Sequence, residues 1–556
     1  MVFTEELRRR AGWLISIAVF LTTVLVTPFS SLDPINVPKF WILQAFGFSI
    51  LILLLSQSKV LISRSSWPVV ISALAIVLFM IAALFASKAP LSQQLFGTNG
   101  RNTGLLTYLS FAVLFLGAAL ATNHNMAKTF VIATAGALGF NAIYGIIQAL
   151  GSDPIKWSNP YSPVIGTFGN PNFVAAFLGM GFGFSLPFLI AKNTKPKFKL
   201  LSLAYLIGAT FAMLRSDAQQ GVIVSVIAAG LVIYFWLRSK TKNPVVRYGY
   251  LVLGLIGGVI GILGSLQKGP LTSILYKPSV TYRGDYWSAG IEMFKSHPFL
   301  GIGLDSYGDW YRAARTLAAT ERRGPSTVSN AAHNVFIDIA ATAGIFALIA
   351  YLAVIVLGFR AMWKIMKRGS SFDPFVVAIF ATWVGYLVQS VISINNIALG
   401  IWGWVLPGIL IATERWITES ENKTAPKSKS KATEFSSMFM VSGLVIGAVI
   451  GFIPFNADAN FRHSVEKGDA TAIYSSAEKW PKDSSRLIYA AKLFNENKME
   501  DKGYALTKIA TELNPRSFDA WNFLYQSKWS SEEEKKRAIE NMKLLDPNNS
   551  EIAKLG

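Results

Sequence analysis

Apolar runs, all but one of eighteen residues or more, recur along the first 455 positions of this 556-residue chain. A run of that length can cross the roughly 30 Å of a hydrocarbon layer as a helix. About thirteen can be read, near 12–30, 39–56, 67–87, 104–121, 127–150, 172–191, 200–214, 219–237, 248–266, 333–358, 373–394, 397–414 and 436–454. With 52% hydrophobic residues, only 15% charged and a mean hydropathy of +0.41, the chain does not have the composition of a soluble protein. The expected fold class is therefore all-α, a polytopic membrane protein of 12–13 transmembrane helices. The first run is too long, and too weakly followed by small residues, for a cleaved signal peptide, so it reads as a retained anchor. Cysteine is absent, which excludes disulfides and thiolate metal sites.

Charge gives an orientation. With the N-terminus assigned to the cytoplasm, the inner segments are Arg8-Arg9-Arg10, Lys59 with Arg64, Lys128, AKNTKPKFK, RSKTKNPVVR, RAMWKIMKRG and ERWITESENKTAPKSKSKATE. The short loops of the other side, at 31–38, 88–103 and 151–171, carry very few cations. This is the positive-inside asymmetry. It accounts for much of the +20 net charge and leaves nucleic acid unneeded as a partner. The same assignment puts the 267–332 loop, and everything after 455, outside the cytoplasm.

After residue 455 the chain becomes polar and nearly charge-balanced. Trp480-Pro481-Lys482-Asp483, Leu513-Asn514-Pro515-Arg516 and Leu545-Asp546-Pro547-Asn548 place prolines 34 and then 32 residues apart, with helical patterns between them. That spacing resembles tetratricopeptide repeats, whose stacked helix pairs form a concave surface for a protein partner. The expected domains are 1–455, a membrane unit with the large loop 267–332, and 456–556, an extracytoplasmic helical-repeat unit. So few repeats sit close to the minimum for stability, so the unit is expected to lean on the membrane or on a neighbour.

His333 and Asn334 stand where the 267–332 loop gives way to the apolar run AAHNVFIDIAATAGIFALIAYLAVIVLGF. The chain has four histidines, and this one marks a membrane boundary. A titratable imidazole at the watery mouth of a membrane helix is placed for chemistry on a lipid-linked substrate. Gly344 follows about three helical turns later and is expected on nearly the same face.

Several segments together resemble the O-antigen ligase and polymerase superfamily of bacterial envelope glycosyltransferases. They are GTFGNPNFVAAFL at 166–178, TYRGDYWSAGIEMFKSHPFLGIGLDSYGDWY at 281–311, AHNVFIDIAATAGIFA from Ala332 and, more weakly, LFGTNGRNTGLLTYL at 95–109. Their order and spacing agree across roughly 40–415. Taken alone, Gly-Asn-Pro-Asn also fits a helix entry, with Asn170 as cap and Pro171 at the first helical position. Two departures stand out. Ala347 replaces a frequent glycine, and in LRSDAQQGVIVS Gln220 occupies the slot where many members have an arginine; the nearest cation is Arg215.

The resemblance implies transfer of a glycan from an undecaprenyl-diphosphate carrier to an acceptor hydroxyl on the outer face of the bacterial cytoplasmic membrane. The acceptor is a glycan, a lipid or a protein, so ligase, polymerase and protein O-oligosaccharyltransferase all remain open. A diphosphate leaving group needs neutralising, and arginine binds its oxygens bidentately. His333 and Arg283 are the catalytic candidates, the first as acceptor of the hydroxyl proton or as donor to the diphosphate. Substrate-binding candidates are Arg215, Gln220, Asn334, Arg322, Arg323, Trp287 and Asn172. Trp287, Trp310 and Tyr311 could stack on sugar faces, and the loop's helix-length pieces could lie in the interface over the donor. Asp33 is the only acid in the first outer loop, so no metal or other cofactor is expected. Membrane lipids surround the spans. A transporter or flippase would hide ionisable groups mid-span, whereas those found here cluster at the outer boundary. A non-catalytic scaffold would survive loss of the His-Asn and Arg motifs.

Overall fold

In hydrocarbon no water satisfies the backbone, so each membrane-length run must bond to itself, and a helix does this. The computed structural model describes residues 4–157, 162–421 and 432–555, and these are all-helical, with no strand among them. Eleven helices among the described residues are long and apolar enough to cross a membrane. The other two expected runs fall on Glu5–Val24, charged in its first turn, and on Leu105–Leu120, 16 residues long. Four spans, Pro171–Ile190, Pro196–Arg215, Pro244–Ser265 and Pro374–Ile392, begin on a proline, where the missing N–H would have been unpaired anyway. Of the basic loops, 422–431 lies outside the described residues, as does 158–161 of the loop at 151–171.

Close packing in lipid relies on small residues. The Ala432–Lys467 helix lies along Asn36–Ser56 through Gly443, Gly447 and Gly451, spaced by four. A Cβ on Gly447 would stand 2.2 Å from the Gln44 carbonyl oxygen, so a larger side chain would push the helices apart. The same helix runs unbroken past residue 455 and carries the C-terminal unit directly.

The Val335–Arg368 helix is not continuous, and this changes the reading of Gly344. Gly344 has φ +81°, so the expected run of turns that would align it with His333 is broken there. The segment after His297 fills the break. Ile302 N–H donates to Ala341 O (2.9 Å), Gly303 N–H to Thr342 O (3.1 Å) and Ile345 N–H to Pro298 O (2.9 Å). A Cβ at Gly344 would sit 2.0 Å from Phe299 O, and one at Gly301 would meet the Thr342 backbone at 2.3 Å. The His-Pro, Gly-x-Gly and His-Asn motifs thus form one junction: a loop strap sealing the orphan backbone groups of a split helix.

Beyond Lys467, helices Ala470–Ala477, Ser484–Glu496, Glu500–Leu513, Phe518–Gln526 and Glu532–Leu545 pack on one another in chain order. All three proline turns meet segments 92–96 and 309–315 of the membrane unit. At the first, Ser92 donates to Lys482 O (2.5 Å) and Phe96 packs edge-on to Trp480. At the second, Asn514 bonds Asp309 (3.1 Å) and the Arg516 guanidinium lies 3.5 Å over the Trp310 ring. At the third, Asp546 accepts from Arg315 (2.7 and 2.8 Å) and from Arg312 (3.2 Å). Arg315 and Asp546 are fully buried. Asp546→Ala would strand a buried guanidinium and is expected to weaken this contact by about 3–5 kcal/mol. The measurement is hydrogen exchange, rising over 307–323 and 518–553 with the membrane helices unchanged; equal protection in the variant would rule out a clamping role.

Candidate active site

Asn334 caps the Val335 helix. Its Oδ1 accepts from Phe336 N–H (3.0 Å) and Ile337 N–H (3.1 Å), satisfying two of the helix's free donors. His333 precedes the cap at φ +54°, a conformation uncommon outside glycine, and its imidazole meets the 267–332 loop. There the ring stacks on Tyr286, with centroids 4.5 Å apart and planes 26° from parallel. Nδ1 lies 3.2 Å from Ala331 O. A carbonyl only accepts, so Nδ1 carries the proton and Nε2 keeps its lone pair. Burial lowers the pKa of this histidine from 6.5 to about 4. The Ala331 carbonyl opposes that shift, and the Arg283, Arg101 and Arg323 charges add to it. The imidazole is neutral at physiological pH, with one basic nitrogen.

The Pro278–Ser296 helix supplies the opposite wall. Arg283 and Tyr286 lie one turn apart on it and so share a face. Arg283 Nε donates to Ile392 O (2.8 Å), which fixes the guanidinium, while Nη1 and Nη2 have no protein acceptor among the described residues. Burial holds its pKa below the ordinary arginine value. Arg323 donates to the Tyr286 hydroxyl and lies 4.3 Å over the Tyr282 ring. Trp287 Nε1 donates to His333 O (3.3 Å). His333, Arg283, Arg323 and Trp287 are therefore brought together around Tyr286.

Other candidates are placed elsewhere. Arg322 points to Asp285 (2.5 Å) at the surface. Arg215 ends its helix exposed, with no hydrogen bond or ion pair among the described residues, so nothing joins it to Gln220. Gln220 is buried, and its Nε2 donates to Gln389 Oε1 (3.2 Å) between two membrane helices. Asn172 sits in the first turn of its helix, half-buried, its backbone N–H taken by Asn170. Two of the aromatics expected to face sugars are occupied. Tyr311 is buried against Tyr286 and Tyr307, and Trp310 is covered by Arg516.

The reading from sequence missed the support beneath His333. Arg101, in the loop at 88–103, is buried and reaches three partners. It donates to Asn330 O, lies 3.3 Å from Asp338 and lies 3.3 Å from Asp305. Burial works against its charge, but the two carboxylates outweigh this and raise its pKa. Asp338 also accepts from Ala332 N–H (3.1 Å), and Asp305 from Thr98 N–H (2.8 Å) and Thr103 Oγ1 (3.1 Å). The 330–334 turn is thus gripped on both sides of Ala331. The only signal in the sequence was that Arg101 falls within the weakest of the recognised segments.

Residues 204–352 match the family model described as O-antigen ligase. The match takes in Gln220, the Pro278 helix with Arg283, the strap at 298–303, His333 and the break at Gly344. Comparison with curated proteins gives no match.

Proposed function

We propose that this chain, a polytopic membrane protein whose residues 204–352 match the O-antigen ligase family model, moves a glycan from an undecaprenyl-diphosphate carrier to an acceptor hydroxyl. The observation that carries the reading is a neutral imidazole with its Nε2 lone pair available, beside an arginine whose two terminal nitrogens have no protein acceptor. As the acceptor oxygen bonds to the anomeric carbon, Nε2 takes its proton. The bond from that carbon to the diphosphate oxygen breaks with its electron pair, and Arg283 and Arg323 meet the charge that develops. One displacement inverts the anomeric centre. The arginines provide the neutralisation that a metal would otherwise give, so chelators should leave the rate unchanged.

Arg283→Ala is expected to lower transfer from purified lipid-linked glycan by about 10²–10³-fold. Arg283→Lys should recover little of it, because a point charge cannot replace the planar fork. Full turnover by both variants would remove Arg283 from the reaction. The positive-inside asymmetry supports a reaction at the extracytoplasmic face of a bacterial cytoplasmic membrane. Because the chain lacks cysteine, impermeant labelling of a cysteine introduced at the exposed position 533 tests this; labelling only after lysis would reverse the orientation. Helical repeats next to the site favour a proteinaceous or surface-polymer acceptor, or a partner enzyme; polymerase and protein O-oligosaccharyltransferase activities share the same donor chemistry.

A further inference from the structure

At the far end of the membrane helices from His333, a cavity of about 470 Å³ opens where Pro171–Ile190 and Gln219–Lys240 finish and Pro374–Ile392 begins. Its size is that of a small-molecule site. Phe198, Trp236 and Phe372 line it together with Lys192, Lys195 and Lys240, the Lys240 ammonium 5.9 Å from the centre of the Trp236 ring, with no acidic side chain in the lining. Asp373, between the lining residues Phe372 and Pro374, uses Oδ1 to cap its helix at Phe375 N–H (2.8 Å) and Val376 N–H (3.3 Å). None of the three lysines has a carboxylate partner among the described residues, and all three are exposed. Phe198 is 48% and Trp236 37% exposed, although both are large apolar side chains.

We infer that this cavity binds one anionic phospholipid, its phosphate among Lys192, Lys195 and Lys240 and its acyl chains along Phe198, Trp236 and Phe372. Three cations with no carboxylate partner call for an anion. An apolar wall at the end of membrane-length helices calls for hydrocarbon on the same molecule, which a free phosphate lacks. Basic pockets between membrane helices hold lipid headgroups on this principle, and aromatic rings prefer the interfacial level. The site is independent of the transfer reaction and is tested without it.

The test uses the full chain in detergent and native mass spectrometry with phosphatidylglycerol or phosphatidylcholine as probe. The wild type should retain phosphatidylglycerol in clear preference. Each Lys→Gln change should weaken retention about fivefold, and the triple change on the order of 100-fold. Phe198→Ala with Trp236→Ala should weaken it about tenfold or more, from lost apolar contact. Equal retention of the two lipids by the wild type would overturn the proposal. So would an equal loss on changing Lys59, Arg64 and Lys128 to glutamine, since that would reduce the effect to general surface charge. Displacement of the lipid by millimolar inorganic phosphate, with no effect of the aromatic changes, would reassign the cavity to a free anion.

Discussion

Replacing His333 by asparagine is expected to lower glycan transfer by about 10²–10⁴-fold with the protein still folded, the usual cost of losing a general base. Asparagine is the informative choice because it tolerates the left-handed backbone that His333 adopts at φ +54°, whereas alanine would add strain of its own. The asparagine amide also cannot accept a proton near neutrality. The pH profile carries a second signature. Because burial lowers the His333 pKa to about 4, the imidazole stays a base well below the pH at which a free histidine protonates. Transfer should therefore hold level from about pH 8 to about pH 5, then fall tenfold per unit below about pH 4. The linked stability effect has the opposite reach. The folded state resists a proton that the unfolded chain accepts below 6.5, so stability should decline from about pH 6.5 to about pH 4. A rate that halves near pH 6.5 would mean an exposed, ordinary imidazole, and near-normal turnover by the asparagine variant would take His333 out of the mechanism.

What was legible in the sequence was what is local. A run such as 67–87 needs only its own composition to become the helix Trp67–Ala86, and Asn334 with the apolar residues after it announces a capped helix start. Gly443, Gly447 and Gly451 carry a helix-packing spacing that the sequence reading did not single out and the structure brings against Asn36–Ser56. The rest depends on contacts between distant segments, which neither periodicity nor spacing records. Gly344 fits an apolar helix well, and only the Phe299 backbone lying against it explains why it must be glycine and why the helix breaks. Trp310 and Tyr311 read as sugar platforms because exposure was assumed. Arg516, from the C-terminal unit, covers the first, and tyrosines of the loop itself bury the second. The prolines at 481, 515 and 547 gave a period, but not the fact that all three turns meet the membrane unit along its loops.

Arg101 makes the sharpest separation between holding the site and performing its chemistry. Arg101→Met should destabilise the protein by about 3–5 kcal/mol, because it leaves Asp305 and Asp338 buried without their cation. Their side chains are only 1% and 8% exposed, so water cannot take its place. Thermal unfolding in detergent reads this loss directly. Arg101→Lys should recover part of it, since one ammonium can face a carboxylate but cannot span Asn330 O and both acids as the fork does. The decisive variant combines Arg101→Met with Asp305→Asn and Asp338→Asn. Removing all three charges relieves the unpaired carboxylates and should restore much of the stability. Transfer should remain low, because the 330–334 turn would have lost its grip from Arg101 on one side and a charged acceptor for Ala332 N–H on the other. Binding of a lipid-linked donor should change less than turnover, since Arg283 is fixed independently through Ile392 O. If the triple variant regained both stability and full turnover, the network would be a structural element only, and the left-handed turn at His333 would be held by the Asn334 cap and the Tyr286 stack.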